Sequence, residues 1–552
     1  MFDAFGYAFF QRGLWEVLLL SGAAGLMGTW IVLRGLAFYS HAIAAAAFPG
    51  LVVADGLGFA PLLGALGAAG VFAFAVAGLA RRRRDEYASF TALALVGALA
   101  VGVILASDVF HSAANVETLL FGSLLLIDRT DLLVAAAATV AALVATIVLG
   151  RRWTATGFDP TTARALGARS AVPEGVLLVL VAAAVVASLD ALGALLVSAL
   201  FVLPAATARL WTRTLRSWQL ASVALAVVDG TLGLWLAFES NVPPGAAIAV
   251  VAGAVFAVAA LPRRAAVLAA AVLLLAGCGS TGNALTVVAT TTQIGDWARV
   301  VAGNELTVHQ ILRPNTDPHE YEPRPDDVRA TSGARVIFEN GVGLDHWMGK
   351  VVSSAGGGPR VVDLSTVLAQ RIRGDPHWWH DPRNAEAAVV AIRDALVRAD
   401  PKAARTFRAN TQTYLRRLRS LDSAIASCLS TVPPSQRQLV TDHDAFGYFA
   451  RRYRIRIVGA VIPSLTTQAQ PSAGETAKLI ALVRREHVRA IFPERSVNQR
   501  LAQTVARATG ASARYTLYGD TLGPRQTYLQ MEQANADAMI RGFTGGRRGC
   551  VT

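Results

Sequence analysis

LPRRAAVLAAAVLLLAGCGS, residues 261–280, lies near the middle of a chain of 552 residues. Arg263 and Arg264 form a basic flank, 265–275 is an unbroken apolar core, and Leu275-Ala276-Gly277-Cys278 closes it with small residues. Basic flank, short apolar core and small-residue end follow in the order of a secretory signal peptide. Such a segment belongs at the start of an exported protein. Here everything before it is hydrophobic and everything after it reads as soluble. Two normally separate proteins joined head to tail account for that placement; one more membrane span is the alternative. On either reading, the chain after residue 280 is carried out of the cytoplasm.

The composition agrees with a membrane part. At 53% hydrophobic and 16% charged residues, the chain is too apolar for a soluble protein of this length, and the length suggests several domains. The net charge of +13 is not a nucleic-acid signal, because much of it sits in short arginine clusters between apolar runs. Cytoplasmic membrane loops have that pattern. The Leu-Ala-Gly-Cys ending resembles a bacterial lipoprotein cleavage box, which makes Cys278 the lipidation candidate. The other two cysteines, Cys428 and Cys550, would then face an oxidising compartment and be free to pair. Sequence alone does not bring them together.

A membrane span needs about 20 apolar residues. Nine runs qualify as candidates: 14–33, 38–58, 61–80, 88–107, 132–150, 175–189, 191–208, 220–238 and 245–261. The stretch 119–127 is too short to span and reads as re-entrant. The clusters Arg81 to Arg84, Arg151-Arg152, Arg209 to Arg216 and Arg263-Arg264 all fall on the cytoplasmic side if the amino terminus is outside. The run 265–275 then delivers Cys278 to the outer face. Ionisable residues within spans are functional suspects. His41, Asp55, Asp190 and Asp229 qualify, with Asp55 and Asp190 placed where ordinary helix-end residues also occur; His41 and Asp229 are the pathway candidates.

Four stretches of this half carry a resemblance: QRGLWEVLLLSGAAGLMGTWIVLRGLAFYSHAIAAAAFPG (11–50), FDPTTARALG (158–167), GALLVSALFVLPAATARL (193–210) and VPPGAAIAV (242–250). Together they resemble the ABC-type zinc/manganese permeases. The resemblance implies a polytopic helical domain that works as a pair and docks on a separate ATPase. It also makes the cytoplasmic stretch holding Phe158, Asp159, Pro160 and Arg164 the docking candidate. The chain has no GxxxxGK[ST] phosphate loop, so a motor would be another polypeptide and this chain a transport component, not an enzyme.

After residue 284 the pattern changes. Short apolar runs at 285–290, 335–339, 438–441, 457–461 and 490–493 read as strands, and 297–301, 384–398, 475–486 and 499–509 as helices. Strands alternating with helices argue for α/β layers with largely parallel sheets. Between the two groups, 400–429 reads as one long helix joining two lobes. The expected fold is therefore a helical membrane domain of about nine spans (1–262), the signal-like segment (263–283), and a two-lobed α/β solute-binding domain (284–546) with a single rigid linking helix. Its lobes would cover 284–398 and 436–546.

The chemistry in this half sits in connections, where α/β sheets present ligand groups. Asp317-Pro-His-Glu-Tyr-Glu-Pro323 offers His319, Asp375-Pro-His-Trp-Trp-His-Asp-Pro382 offers His377 and His380, the stretch after 438–441 offers His443, and Tyr518-Gly-Asp offers Asp520. Three imidazoles and a carboxylate suit tetrahedral zinc; an all-oxygen set would suit calcium or magnesium better. No compact metal spacing marks these residues. His309, His346 and His487 read as ordinary surface histidines.

DPHEYEP, DPHWWHDP, HDAFGYF, AIFPE (490–494) and YGDTLG, in that order, resemble the metal-binding receptors that serve zinc and manganese ABC importers. The resemblance implies two lobes with metal held between them by His319, His377, His443 and Asp520. Manganese members of the family usually carry Glu where His443 stands, so it favours zinc as cargo, with manganese the alternative. Three departures stand out: no His/Asp/Glu-rich loop between Asn340 and Asp375, Gln470 in place of a common Glu, and His380 in place of an apolar residue. For His380, a fifth metal contact, a capture site and a surface residue all remain open. Glu494 is a candidate to orient a ligand histidine, with Glu339, Asp442 and Asp444 as rivals. The expected function is zinc uptake at a bacterial plasma membrane, with permease and extracytoplasmic receptor on one chain. A metal-binding surface lipoprotein that acts as an adhesin is the rival from another class.

Overall fold

The computed structural model describes residues 3–80, 87–105, 109, 124–158, 162, 171–261, 286–319, 321, 323–356, 358–467, 473–497 and 499–550. Residues 262–285, which hold the signal-like segment 263–283 and Cys278, lie outside the described residues, as do Asp159, Pro160 and Arg164. The chain forms two compact units, one of residues 1–281 with 322–328 and 353–356, the other of 282–321, 329–352 and 357–552.

The first unit is helical: α1 (Ala8–Arg34), α2 (Ala37–Ala46), α3 (Phe48–Leu57), α4 (Pro61–Ala80), α5 (Tyr87–Ile104), α6 (Arg129–Phe158), α7 (Ala171–Ala187), α8 (Leu189–Leu192), α9 (Ala194–Arg209), α10 (Leu215–Ser240) and α11 (Pro244–Ala260). Each of the nine expected runs is helical over most of its described residues. The run 38–58 divides into α2 and α3 because Pro49 enters the first turn of α3, where its missing N–H costs nothing. Among the described residues, five segments are long and apolar enough to cross a membrane, counting 37–57 as one. Of the stretch 119–127, the described part includes a short 3-10 turn, Leu124–Leu126.

The helix α1 packs on α6, α9 and α10, and small residues make that possible. A Cβ on Gly28 would strike the Phe201 carbonyl of α9. One on Gly50 of α3 would strike the Gly64 carbonyl of α4, and the reverse also holds. In an apolar solvent, such close backbone approach supplies the van der Waals contact that holds helices together. Large apolar side chains point away from the bundle, among them Phe74, Leu133, Ile147 and Leu220. In water that surface would be costly; against lipid tails it costs nothing.

The second unit is α/β. A parallel four-stranded sheet has the order β2-β1-β3-β4, with β1 Thr286–Ala289, β2 Thr307–Gln310, β3 Ala334–Glu339 and β4 Arg360–Asp363. A second sheet pairs β5 (Gln438–Thr441) with β6 (Arg456–Ala460), also parallel. Single parallel bridges extend it at Thr441 with Phe492, Ala490 with Ser512 and Glu494 with Leu517. The helices are α12 (Thr292–Ala302), α13 (Pro325–Ser332), α14 (Trp347–Ala355), α15 (Pro382–Ala399), α16 (Ala404–Ser430), α17 (Gly447–Tyr453), α18 (Ala473–Arg485), α19 (Arg500–Thr509) and α20 (Tyr528–Thr544).

Helix α16 lies in sequence between the two sheets. Its buried stripe Phe407, Thr411, Tyr414, Leu418, Leu421, Ile425 and Leu429 recurs every three or four residues, which gives the helix one apolar face. That stripe belongs to one core that runs from Val287 to Cys550 and includes Trp297, Trp378 and Trp379. A smaller core around Val440, Val483, Ile491 and Val505 lies under the second sheet. Cys428, near the end of α16, is disulfide-bonded to Cys550, a pairing that the sequence leaves open. Elements β2, β4, α13, α14, α17 and α20 are additions to the expected set.

Candidate metal centre

Each of the four candidate ligands follows an element that fixes it. His319 comes after β2, His377 opens the 3-10 turn that leads into α15, His443 is two residues past β5, and Asp520 is three past the bridge at Leu517. Parallel strands deliver their following loops to one end of a sheet, so residues 201 apart in sequence (319 to 520) meet. One ligand atom from each of His319, His377, His443 and Asp520 lies within 4.8 Å of all the others.

The spacing within that cluster is specific. Nε2 of His443 is 3.2 Å from Nε2 of His377. The Asp520 carboxylate is 3.3 Å from each of these nitrogens, through Oδ1 to His377 and Oδ2 to His443. Tetrahedral ligands bonded to zinc at ~2.0–2.1 Å stand about 3.3–3.4 Å apart. His319 is looser, with Nε2 3.9 Å from Asp520 Oδ2. His377, His443 and Asp520 are fully buried at their side chains, and His319 nearly so. Neither Asp520 oxygen has a well-aligned hydrogen bond. A cation at the centre of these atoms, proton or metal, would satisfy those buried lone pairs.

Carboxylates hold two of the rings from behind. Asp375 Oδ1 accepts from the His377 backbone N–H at 2.9 Å and lies 2.8 Å from its Nδ1. Glu494 Oε1 accepts from the His443 backbone N–H and lies 3.1 Å from its Nδ1. Nδ1–H on both rings then leaves both Nε2 lone pairs for a metal. Of the rivals to Glu494, Asp442 instead accepts from the Glu494 backbone N–H at 2.6 Å. Burial, then the charges of Asp345 and Asp363, raise Glu339 to about 7. Asp375 is absent from the sequence-level candidates. The signal was there: in both Asp-Pro-His triplets the Asp accepts the histidine's backbone N–H, from His319 to Asp317 at 2.9 Å as well. Replacing Glu494 by Gln should weaken metal binding by about 10–100-fold while leaving the fold intact, as a competition titration against a chromophoric chelator would measure.

The charges of the cluster are poised for a cation. Burial works against a charged His443, but the carboxylates of Glu494 and Asp520 outweigh it and hold its pKa well above 6.5. For His377 burial is again opposed, by Asp375 and Asp520, and the net shift is upward. Burial drives His319 down to about 3. Asp520 sits well below the ordinary carboxylate range, because the charges of His443 and His377 outweigh its burial. The metal-free fold thus favours protons on His377 and His443. That contribution is present below 6.5 and is lost as pH rises through the raised folded values. A metal must displace those protons, so affinity should climb as pH rises from 6.5. Calorimetry near pH 7 in two buffers of different ionisation heat should show more than one proton released per metal; none released would contradict the assignment.

The remaining candidates lie elsewhere. His380 is a correction to the surface reading: it is fully buried, its Nδ1 is 2.7 Å from Glu532 Oε1, and its ring stacks on Phe446. It stands outside the four-residue cluster. His41 is half-buried in α2, and Asp229 is fully buried in α10 with no hydrogen bond to its carboxylate among the described residues. Phe158 ends α6. Asp55 is exposed near the end of α3; His346 and His487 are exposed and His309 half-buried.

Known families match the two halves of the chain separately. The zinc-uptake complex component A periplasmic family matches residues 287–542. The ABC 3 transport family matches residues 6–263. The manganese-binding lipoprotein MntA of Halalkalibacterium halodurans is 31% identical over 287 residues, which are 49% of this chain and 95% of that protein. This chain belongs to the metal ABC transporters. It joins an ABC 3 permease and a receptor of the metal-binding lipoprotein family. Another relative of this transporter chain, the iron-binding protein YfeA of Yersinia pestis, is 31% identical over 274 residues, 48% of this chain and 88% of that protein. The periplasmic zinc binding protein TroA from Treponema pallidum aligns with a TM-score of 0.45 at 27% identity, over 47% of this chain and 99% of that one.

Proposed function

We propose that this transporter chain imports zinc, which His319, His377, His443 and Asp520 capture outside the plasma membrane. The observation that carries the reading is the set of three imidazoles and one carboxylate, with nitrogen and oxygen atoms 3.2–3.3 Å apart around His377, His443 and Asp520. Imidazole-rich tetrahedral sets favour zinc; manganese favours oxygen and higher coordination. Manganese is the second reading, because a manganese-binding lipoprotein is 31% identical to the receptor half.

The division of labour follows from the two families. Residues 1–262 act as the permease, with about nine spans, paired with a second copy and driven by a separate ATPase that docks near Phe158, Asp159, Pro160 and Arg164. His41 and Asp229 line its pathway. Residues 284–546 act as the receptor, with the 27-residue α16 as the rigid element between its lobes. The Cys428–Cys550 disulfide supports an extracytoplasmic receptor, since such bonds persist in oxidising compartments. One chain carrying both functions keeps the receptor at the permease at about millimolar effective concentration. Segment 263–283 either anchors the receptor as a span or is cleaved before a lipidated Cys278.

Zinc accumulation in cells that express the chain with its ATPase tests this. Accumulation should depend on the intact chain and fall to background with His377→Ala. Accumulation of manganese in place of zinc would keep the importer and overturn the cargo; accumulation unchanged by His377→Ala would overturn the receptor role.

A further inference from the structure

The sheet of β1 to β4 has a second feature at the end away from the metal cluster. The metal loops follow carboxyl ends of parallel strands. The amino ends of β3 and β4 open instead on a pocket of about 380 Å³, completed by the last turn of α15. Three guanidinium groups line it: Arg335 at the start of β3, Arg360 at the start of β4 and Arg398 at the end of α15. Gly333 and Gly358 line it as well and leave the entrance free of bulk.

No carboxylate is among the lining residues. Arginines of this unit differ in this respect. Arg383, Arg419, Arg452, Arg456 and Arg541 each meet an Asp or Glu at 3.0 Å or less. Arg335, Arg360 and Arg398 form no such pair among the described residues. Arg335 Nη1 donates to the Ala399 carbonyl at 2.9 Å, which satisfies one open acceptor of the α15 carboxyl end. A helix end accounts for roughly half a unit of charge, far less than three arginines supply. A solvated cationic face would explain the charge alone. It does not explain why three arginines without an acidic partner among the described residues line one concavity of small-molecule size.

We propose that this pocket binds a phosphate-class anion, held by Arg360 and Arg398 with Arg335 fixing the wall. Guanidinium forks match tetrahedral oxyanions with paired, charge-assisted hydrogen bonds. The chemistry is shared by free phosphate and by the phosphate of a lipid headgroup.

Calorimetric titration of the intact chain in a neutral detergent separates the sources. One arm uses inorganic phosphate and the other a short-chain, water-soluble phosphatidic acid. The Arg360→Gln, Arg398→Gln double variant keeps the Arg335 bond to Ala399 and serves as the comparison. The expected result is saturable binding of one anion per chain, weakened at least about tenfold in the double variant, with zinc binding unchanged to show that the fold is intact. Tighter binding of the lipid than of phosphate assigns a headgroup; the reverse assigns a soluble anion. Absence of saturable binding in both arms, or equal binding by the double variant, overturns the proposal.

Discussion

Replacing His377 by alanine should abolish tight metal binding by the intact chain. Its Nε2 stands 3.2 Å from His443 Nε2 and 3.3 Å from Asp520 Oδ1, so it touches the centre of the cluster from two sides. The substitution removes one of four ligand atoms and leaves the Asp375 carboxylate behind it without its ring. Loss of an orienting partner alone costs about 10–100-fold in metal affinity, and loss of the ligand itself should exceed that range. Competition against a chelator of known affinity would read it. The variant should still unfold cooperatively without metal, since His377 Nδ1 and Nε2 serve the cluster and the neighbouring core is built by Trp297, Trp378 and Trp379. Metal affinity within tenfold of the parent would remove His377 from the site.

Replacing Cys428 by serine should have the largest effect on stability. The bond joins the end of α16 to the chain's last described residue across a separation of 122 residues. Cross-linking so long a loop removes much freedom from the unfolded chain, with a typical stabilisation of about 2–4 kcal/mol. For a unit of this size that corresponds to a fall of about 5–15 °C in the unfolding temperature. Dithiothreitol should lower the parent to the same temperature and leave the serine variant unmoved. Equal unfolding temperatures for parent and variant would mean that the bond does not form in the folded protein.

Much of this architecture is legible in the sequence, and the reason differs between the halves. Membrane helices advertise themselves because runs of about 20 consecutive apolar residues seldom occur outside a bilayer; each of the nine runs is helical over most of its described residues. The break between α2 and α3 hides inside one such run, betrayed only by Pro49. In the receptor half, α15 and α16 show helical periodicity. β2 and β4 are four residues each, TVHQ and RVVD, too short and too polar to show alternation. The Glu494 side of the site follows from its place after a strand. The Asp375 side lies in a repeated Asp-Pro-His triplet, which reads as a turn until the carboxylate is seen on Nδ1. The His380–Glu532 pair spans 152 residues and leaves no local trace. The Cys428–Cys550 bond joins distant elements in the same way, and tertiary packing alone reveals it.

On the proposed function, this chain carries a zinc receptor on its permease. Titration of the intact, detergent-solubilised chain with zinc and with manganese, beside His443→Glu, tests it most directly. One tight zinc site is expected, preferred over manganese and weakened when His443 becomes an oxygen donor. Preference of the parent for manganese, or no tight site for either ion, would contradict it.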